Sequence, residues 1–186
     1  MHAHSTDTAL STLATAGRES GPTPLEVEVT DLFDLLRAPL LRYLGSFGLA
    51  AHDSEEVVQE VFLALFLHLR SEKPRTNLQA WVFRVAHNLG LKRCQAIRKA
   101  PTAGIEELAP ADTALNPEQQ AANRQRNIKL MAVVRALPEQ DRRCLFLRAE
   151  GLRYREIVEV LSMSLGAVAQ SLERSLDKLS RADRNT

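Results

Sequence analysis

The chain has 186 residues, 45% hydrophobic and 25% charged but only 5% aromatic, the proportions of a globular protein richer in helix formers than in sheet formers. No apolar stretch approaches the roughly 20 residues that span a bilayer, Met1-His2-Ala3-His4 shows no basic segment or apolar core of a secretory signal, and Cys94 and Cys144 lie far from any second cysteine or histidine cluster, which argues against a zinc set or a disulfide framework. A reducing cytoplasm is expected. The net charge of +1 hides a segregation: −3 over residues 1–30, −4 over 31–69, +7 over 70–99, −4 over 100–120 and +5 over 121–186. Two basic blocks around an acidic spacer suggest two contacts with one polyanion, the alternative being helices whose charge only keeps them solvated.

In chain order, residues 1–29 form a tail, rich in Ser, Thr, Ala, Gly and Pro and without apolar period over 1–24. A helix is predicted from a cap at Thr30, with Leu32, Leu35, Leu36, Leu40 and Leu44 at helical spacing and Gly45 and Gly48 closing it. Pro39 would kink it. The second opens at Asp53, with Glu56 three residues on in a capping-box pattern, and buries Val57, Val58, Val61, Phe62, Leu65 and Leu69. Asn77 caps a third, running through Trp81, Val85 and Leu89 to about Lys99. An acidic, Pro-bearing linker follows over 101–115. Asn116-Pro117-Glu118 starts a fourth helix, Pro138 a fifth that Gly151 ends, and two short helices complete the chain at about Tyr154–Leu161 and Leu165–Arg181. The expected fold is all-α: two small helical domains, 30–100 and 116–182, joined by a flexible linker, the C-terminal one a helix-turn-helix.

Catalysis finds little support. There is no glycine-rich phosphate loop, nucleophile elbow or histidine pair at metal-binding spacing, and His52, His68 and His87 are scattered. Glu55-Glu56 are sequence neighbours, which do not face each other on a helix. Neither enzyme activity, nor a cofactor, nor a metal is expected. Two patterns point to nucleic acid. Gly151 to Leu161, then Ser162-Met163-Ser164, then Leu165 to Leu172 has helix-turn-helix proportions, with Ile157, Leu161, Met163, Val168 and Leu172 as its small core. An ordinary αα-hairpin shares that spacing. The third helix carries Arg84, Lys92, Arg93, Arg98 and Lys99 and no acid, with Trp81 and Phe83 near its start. Cationic tracks with aromatic faces grip nucleic acid, and Trp81 and Phe83, two residues apart, point to different faces, so one is core.

These residues carry a resemblance. Asp53-Ser54-Glu55-Glu56-Val57-Val58-Gln59-Glu60-Val61-Phe62-Leu63 resembles the helix that bacterial sigma factors dock onto RNA polymerase. Ala80-Trp81-Val82-Phe83-Arg84-Val85-Ala86-His87-Asn88-Leu89 resembles the downstream promoter-reading helix of their extracytoplasmic-function (ECF) group. Ala136-Leu137-Pro138-Glu139-Gln140-Asp141-Arg142-Arg143, with Gly151, Tyr154, Glu156-Ile157, Leu161, Ser164, Gly166 and Val168, resembles their fourth conserved region. The three motifs stand in family order over about residues 30–180.

The resemblance implies a promoter-specificity subunit of transcription initiation, with core RNA polymerase, promoter DNA and an anti-sigma factor as partners. It implies polymerase contacts from Asp53, Glu55, Glu56, Gln59 and Glu60. Lys73, Arg75, Asn77 and Gln79 fall in or beside the loop that cradles a base flipped from the non-template strand, and Trp81, Arg84, His87, Asn88, Lys92, Arg93, Arg98 and Lys99 on the downstream reader. Arg153, Tyr154, Arg155, Ser164, Leu165, Gly166, Ala167, Gln170, Ser171 and Arg174 fall in the helix-turn-helix. One departure stands out. Where the family's recognition helix usually reads Gly-Thr-Val-Lys-Ser-Arg, this chain has Gly166-Ala167-Val168-Ala169-Gln170-Ser171. The upstream reader therefore either uses an unusual element through Gln170, Ser171 and Arg174 or contributes less than is usual. A polymerase- or anti-sigma-binding regulator with weakened DNA reading, and a plain helix-turn-helix regulator, are the alternatives.

Overall fold

The computed structural model describes residues 21–99 and 117–184, with side chains of the second stretch described from residue 125. The described residues form seven α-helices and no strand: α1 (Pro24–Gly45), α2 (Ala51–Arg70), α3 (Leu78–Lys99), α4 (Pro117–Arg135), α5 (Glu139–Ala149), α6 (Tyr154–Leu161) and α7 (Leu165–Arg184). Residues 1–20 of the expected tail and the acidic linker lie outside the described residues.

Two helix starts differ from the sequence expectation, each for a local reason, and the third helix starts directly after Asn77 as expected. The first helix begins at Pro24, six residues before Thr30, because Thr23 and Glu26 form a capping box. The Thr23 hydroxyl accepts from the Glu26 N–H at 3.3 Å, and the Glu26 carboxylate accepts from the Thr23 N–H at 2.7 Å. Pro24 adds the preset φ suited to a first turn. Thr30 lies inside the helix, its hydroxyl donating to the Glu26 carbonyl. Helix α2 begins at Ala51, and its cap residue Ala50 offers no side chain, so Asp53 and Glu56 are left for other partners. Asn77 precedes α3 in the left-handed region, φ 56°, which asparagine tolerates better than most residues.

The N-terminal module packs α1, α2 and α3 against one another. Val57, Val58, Val61, Phe62, Leu65 and Leu69 are buried, as their period requires. Tyr43 has no exposure and meets Phe47 and Phe83 edge-on, at 5.2 and 5.6 Å between ring centroids. Phe83 is thus the core member of the aromatic pair, while Trp81 is half-buried. Gly90 lets α3 approach α1 closely: a Cβ there would stand 2.9 Å from Leu44 Cδ2 and 3.4 Å from the Phe47 ring. A methyl displaces only the end of the Leu44 side chain, whereas a branched side chain also meets Phe47. Gly90→Val is expected to cost about 1–3 kcal/mol by overpacking. Gly90→Ala is expected to be near neutral, since the helix gains about 1 kcal/mol of propensity. Urea unfolding of the two variants checks the contrast.

In the C-terminal module α7 packs on α4, α5 and α6. Ile157, Val168 and Leu172 are fully buried, and Leu161 and Met163 pack against them, the clamp expected of a helix-turn-helix. Ser162 turns the chain with φ 53°, and the Ser164 hydroxyl caps α7 by accepting from the Ala167 N–H at 3.2 Å.

The two modules are in contact. Helix α6 lies on α3 and α5 on α1, and their buried side chains join one apolar core. Arg42 donates two hydrogen bonds to the Glu150 carboxylate, at 2.9 and 2.8 Å. Arg142 Nε donates to the Ser46 carbonyl at 3.0 Å, and the Arg143 guanidinium lies 4.4 Å from the Phe47 ring centroid.

Candidate polymerase and nucleic-acid interface

Three of the acids expected to face outward from α2 are engaged in ion pairs, although Glu55 and Glu56 keep 36% and 40% side-chain exposure. Arg93 of α3 reaches across to Asp53 at 2.8 Å through Nε and to Glu56 at 2.5 Å. Glu55 pairs with Arg37 of α1, and His52 lies 3.0 Å from Glu56. Asp53, Glu55 and Glu56 thus tie α2 to its neighbours, and the Arg93 charge is engaged there rather than displayed to a DNA backbone. The Asp53 hydrogen bond holds Arg93 still more firmly protonated. What α2 displays is Gln59 and Glu60, both exposed, followed by Leu63 and Leu67, 61% and 44% exposed. Gln59, Leu63 and Leu67 follow at four-residue steps and make one stripe. A reading centred on the acids passes over the two leucines. Their signal is in the sequence, because they fall outside the Val57-Val61-Leu65-Leu69 face that faces inward.

The turn between α2 and α3 carries Lys73, Arg75, Asn77 and, at the helix start, Gln79, all exposed. Glu72 and Asn77 both adopt positive φ, which folds the turn tightly. Arg75 pairs with Glu28 of α1. His68 bonds the Pro74 carbonyl at 3.0 Å and stacks on Trp81, ring centroids 4.5 Å apart. From there Arg84, Asn88 and Lys92 run along α3 at four-residue steps, exposed, with Arg98 and Lys99 beyond. An exposed cationic line of this kind has the charge to neutralise phosphates.

His87 does not join that stripe. It is 7% exposed, and its Nδ1 lies 2.9 Å from the Tyr43 hydroxyl. Burial, helped by the nearby Arg143 charge, lowers its pKa to about 4, so the ring is neutral at physiological pH. The Tyr43 hydroxyl and the neutral ring share one hydrogen bond, and burial pushes the tyrosine's own ionisation upward. Its place in the motif has a packing role, between Tyr43 and Phe47.

In the helix-turn-helix, Arg153, Tyr154, Arg155, Leu165, Gly166 and Gln170 are exposed, and Ala167 is half-buried. Ser164 is the cap described above. Two expected readers are turned to structure instead. Ser171 is 1% exposed, with its hydroxyl accepting from Arg174 at 3.2 Å. Arg174 also grips Asp141 of α5, at 2.7 and 3.2 Å. The Asp141 side chain is only 3% exposed, and the Arg174 hydrogen bond holds its carboxyl below the usual carboxylate range. Of the three polar groups expected to read bases from α7, only Gln170 points outward unengaged by these contacts, and the closed packing also takes Gln79, whose side-chain amide donates to the Glu150 carbonyl at 3.0 Å. Among the described residues no group of His, Cys, Asp and Glu could hold a metal, and no helix is long and apolar enough to cross a membrane.

Comparison with known proteins identifies the family of the two modules. Residues 32–100 match the family model Sigma-70 region 2, and residues 127–179 match Sigma-70, region 4. The RNA polymerase sigma factor CnrH of Cupriavidus metallidurans is 32% identical over 144 residues, which cover 73% of this chain and 75% of CnrH. The ECF RNA polymerase sigma factor SigE of Mycolicibacterium smegmatis is 31% identical over 132 residues, 69% of this chain but only 51% of SigE, so the chain matches about half the length of that relative. Among solved structures, the sigma factor RpoE of Bartonella quintana, in complex with the anti-sigma factor NepR, shares the fold with a TM-score of 0.60 at 19% identity, over 82% of this chain and 94% of that one. With both conserved regions present in order, each on the module whose helices suit it, this chain belongs to the ECF group of the sigma-70 family of RNA polymerase sigma factors.

Proposed function

We propose that this sigma factor docks on core RNA polymerase through the Gln59-Glu60-Leu63-Leu67 stripe of α2 and directs promoter-specific initiation in the cytoplasm, without catalytic activity of its own. The turn Lys73–Asn77 with Gln79, and the Arg84-Asn88-Lys92 stripe, read and help open the downstream element. The observation that carries this reading is that stripe: cationic and amide side chains exposed in one line, starting beside a tight, tethered turn, on the module that matches region 2. Helix α7 contributes less, because Ser171 is buried, Arg174 is tied to Asp141 and the Ala167 and Ala169 side chains offer no hydrogen-bonding group. Gln170 reads a base edge there, and Arg153 and Arg155 hold the backbone. An anti-sigma factor is a further partner, as the bound NepR of the RpoE structure suggests. Sequencing the DNA retained by holoenzyme reconstituted with the purified chain tests the reading. The expected result is a two-part motif with the stronger information in its downstream half. Retention of DNA without any enriched motif would favour the regulator with weakened reading instead.

Freeing Gln79 to read a base requires the modules to part, since α6 lies on α3 and the Glu150 carbonyl holds the Gln79 amide. Arg42→Glu places like charges across the contact. It is expected to shift the closed state by about 1 kcal/mol, the size of a partly exposed ion pair. Small-angle scattering should show a larger radius of gyration for Arg42→Glu and recovery in the swapped pair Arg42→Glu with Glu150→Arg.

A further inference from the structure

His68 occupies a place that the promoter-reading motifs do not name. It stands in the last turn of α2, half-buried, at the point where the chain leaves for the turn that precedes α3. Two contacts leave it in different directions. One edge of the ring, Nε2, lies 3.0 Å from the Pro74 carbonyl. The ring also lies against Trp81 in a tilted contact, at 4.5 Å between centroids and 38° between planes. A carbonyl only accepts, so Nε2 carries a proton and donates. The same side chain therefore fixes the backbone in the middle of the turn and the aromatic ring at the start of α3.

The turn has few other holds. Glu72 and Asn77 bracket it in the left-handed region, and Arg75 reaches Glu28 from an exposed position. Lys73 and Asn77 are exposed on either side of Pro74, so their placement follows its backbone. Removing the Nε2–H bond frees that backbone, and removing the ring frees Trp81 to turn.

We propose that His68 is a positioning residue for promoter opening, holding the turn and Trp81 in the shape that receives a base from the opened strand. The inference rests on the downstream reading proposed above. His68 itself need not touch DNA. Extruding a base is costly and is offset only by a receiving surface already in place, so a loosened turn lowers the yield of opened promoter without lowering affinity for polymerase. The donor and the ring make separable contributions.

Trp81 is the single tryptophan of the chain, so its emission reports the stack directly. The experiment uses the full chain, free and in reconstituted holoenzyme, with His68→Ala, His68→Gln and His68→Phe. Gln keeps an N–H donor without the ring, and Phe keeps a ring without the donor. Three quantities are read: Trp81 emission, affinity for core polymerase, and permanganate reactivity of unpaired thymines at a promoter that the wild-type holoenzyme opens. His68→Ala is expected to alter the emission, to leave core affinity within about twofold, and to reduce opened promoter about tenfold. Gln and Phe are each expected to recover part of the opening, and Phe most of the emission. Wild-type opening by His68→Ala would overturn the positioning role and leave the sigma-factor reading intact. An equal loss of core affinity and opening would also overturn it, by showing a general loss of structure. A wild-type holoenzyme that opens no promoter would overturn the downstream reading and this inference together.

Discussion

Leu63→Asp combined with Leu67→Asp is expected to weaken binding to core RNA polymerase at least 100-fold while leaving the chain folded. Both leucines are more than two-fifths exposed on α2, outside the face that packs on α1 and α3. An exposed substitution away from caps, cores and ion pairs changes stability by roughly 0.5 kcal/mol or less. At the centre of a protein interface, by contrast, a truncated apolar anchor costs about 2 kcal/mol, or some 30-fold, and a buried carboxylate costs more. The two neighbours share one surface, so their effects need not add. Asp53→Ala and Glu56→Ala are expected to behave in the opposite way. They release Arg93 and loosen α2 from α3, lowering stability more than they lower affinity. Titration of labelled variants against core polymerase, with urea unfolding of the same samples, separates the two classes. An unchanged affinity in the double leucine variant would remove α2 as the docking face.

The second large effect is an acid sensitivity centred on one buried ring. His87 has a folded pKa of about 4, below the ordinary value of 6.5. The unfolded chain therefore takes up a proton as pH falls through 6.5, while the folded chain stays neutral down to about 4. Stability conferred by the neutral ring is complete above 6.5 and declines between the two values. Each pKa unit is worth about 1.4 kcal/mol, so the loss from about pH 7.5 to about pH 4.5 is expected to reach 2–3 kcal/mol. Protonation would also place a cation beside that of Arg143. Asp141 is lowered in its turn by Arg174, so its contribution is lost only below the ordinary carboxylate range and leaves this window to His87. Unfolding free energies of the wild-type chain and His87→Gln across this range check the assignment. The variant should be less stable at neutral pH and should show a much flatter profile.

Much of the fold can be read from period and punctuation. The buried stripe of α2, the clamp of the helix-turn-helix and the stop at Gly45 all follow from apolar spacing and glycine placement. The early start of α1 was legible too, in Thr23-Pro24-Leu25-Glu26, but Thr30 competes with it as a cap of the same residue type. What period cannot supply is the partner of a charge. Asp53 and Glu56 sit as a capping pair should, and only the approach of α3, 37 to 40 residues on, brings Arg93 to them. Arg174 and Ser171 likewise look like base readers until α5 brings Asp141 underneath. His87 lies one residue from the exposed Asn88, and a shift of that size separates the outer face of a helix from its core. The packing of α6 on α3 had no local signal, since residues far apart in the chain make it.

Run-off transcription with purified core polymerase tests the central claim most directly. The template carries the two-part motif recovered with the holoenzyme, and the reactions contain core alone, core with the wild-type chain, and core with the double leucine variant. The expected result is a discrete transcript from the motif only with the wild-type chain, lost when the downstream half is scrambled and reduced but present when the upstream half is. A contradiction would be tight polymerase binding by the wild-type chain with no transcript above core alone, which would make this chain a polymerase-binding regulator rather than an initiation factor.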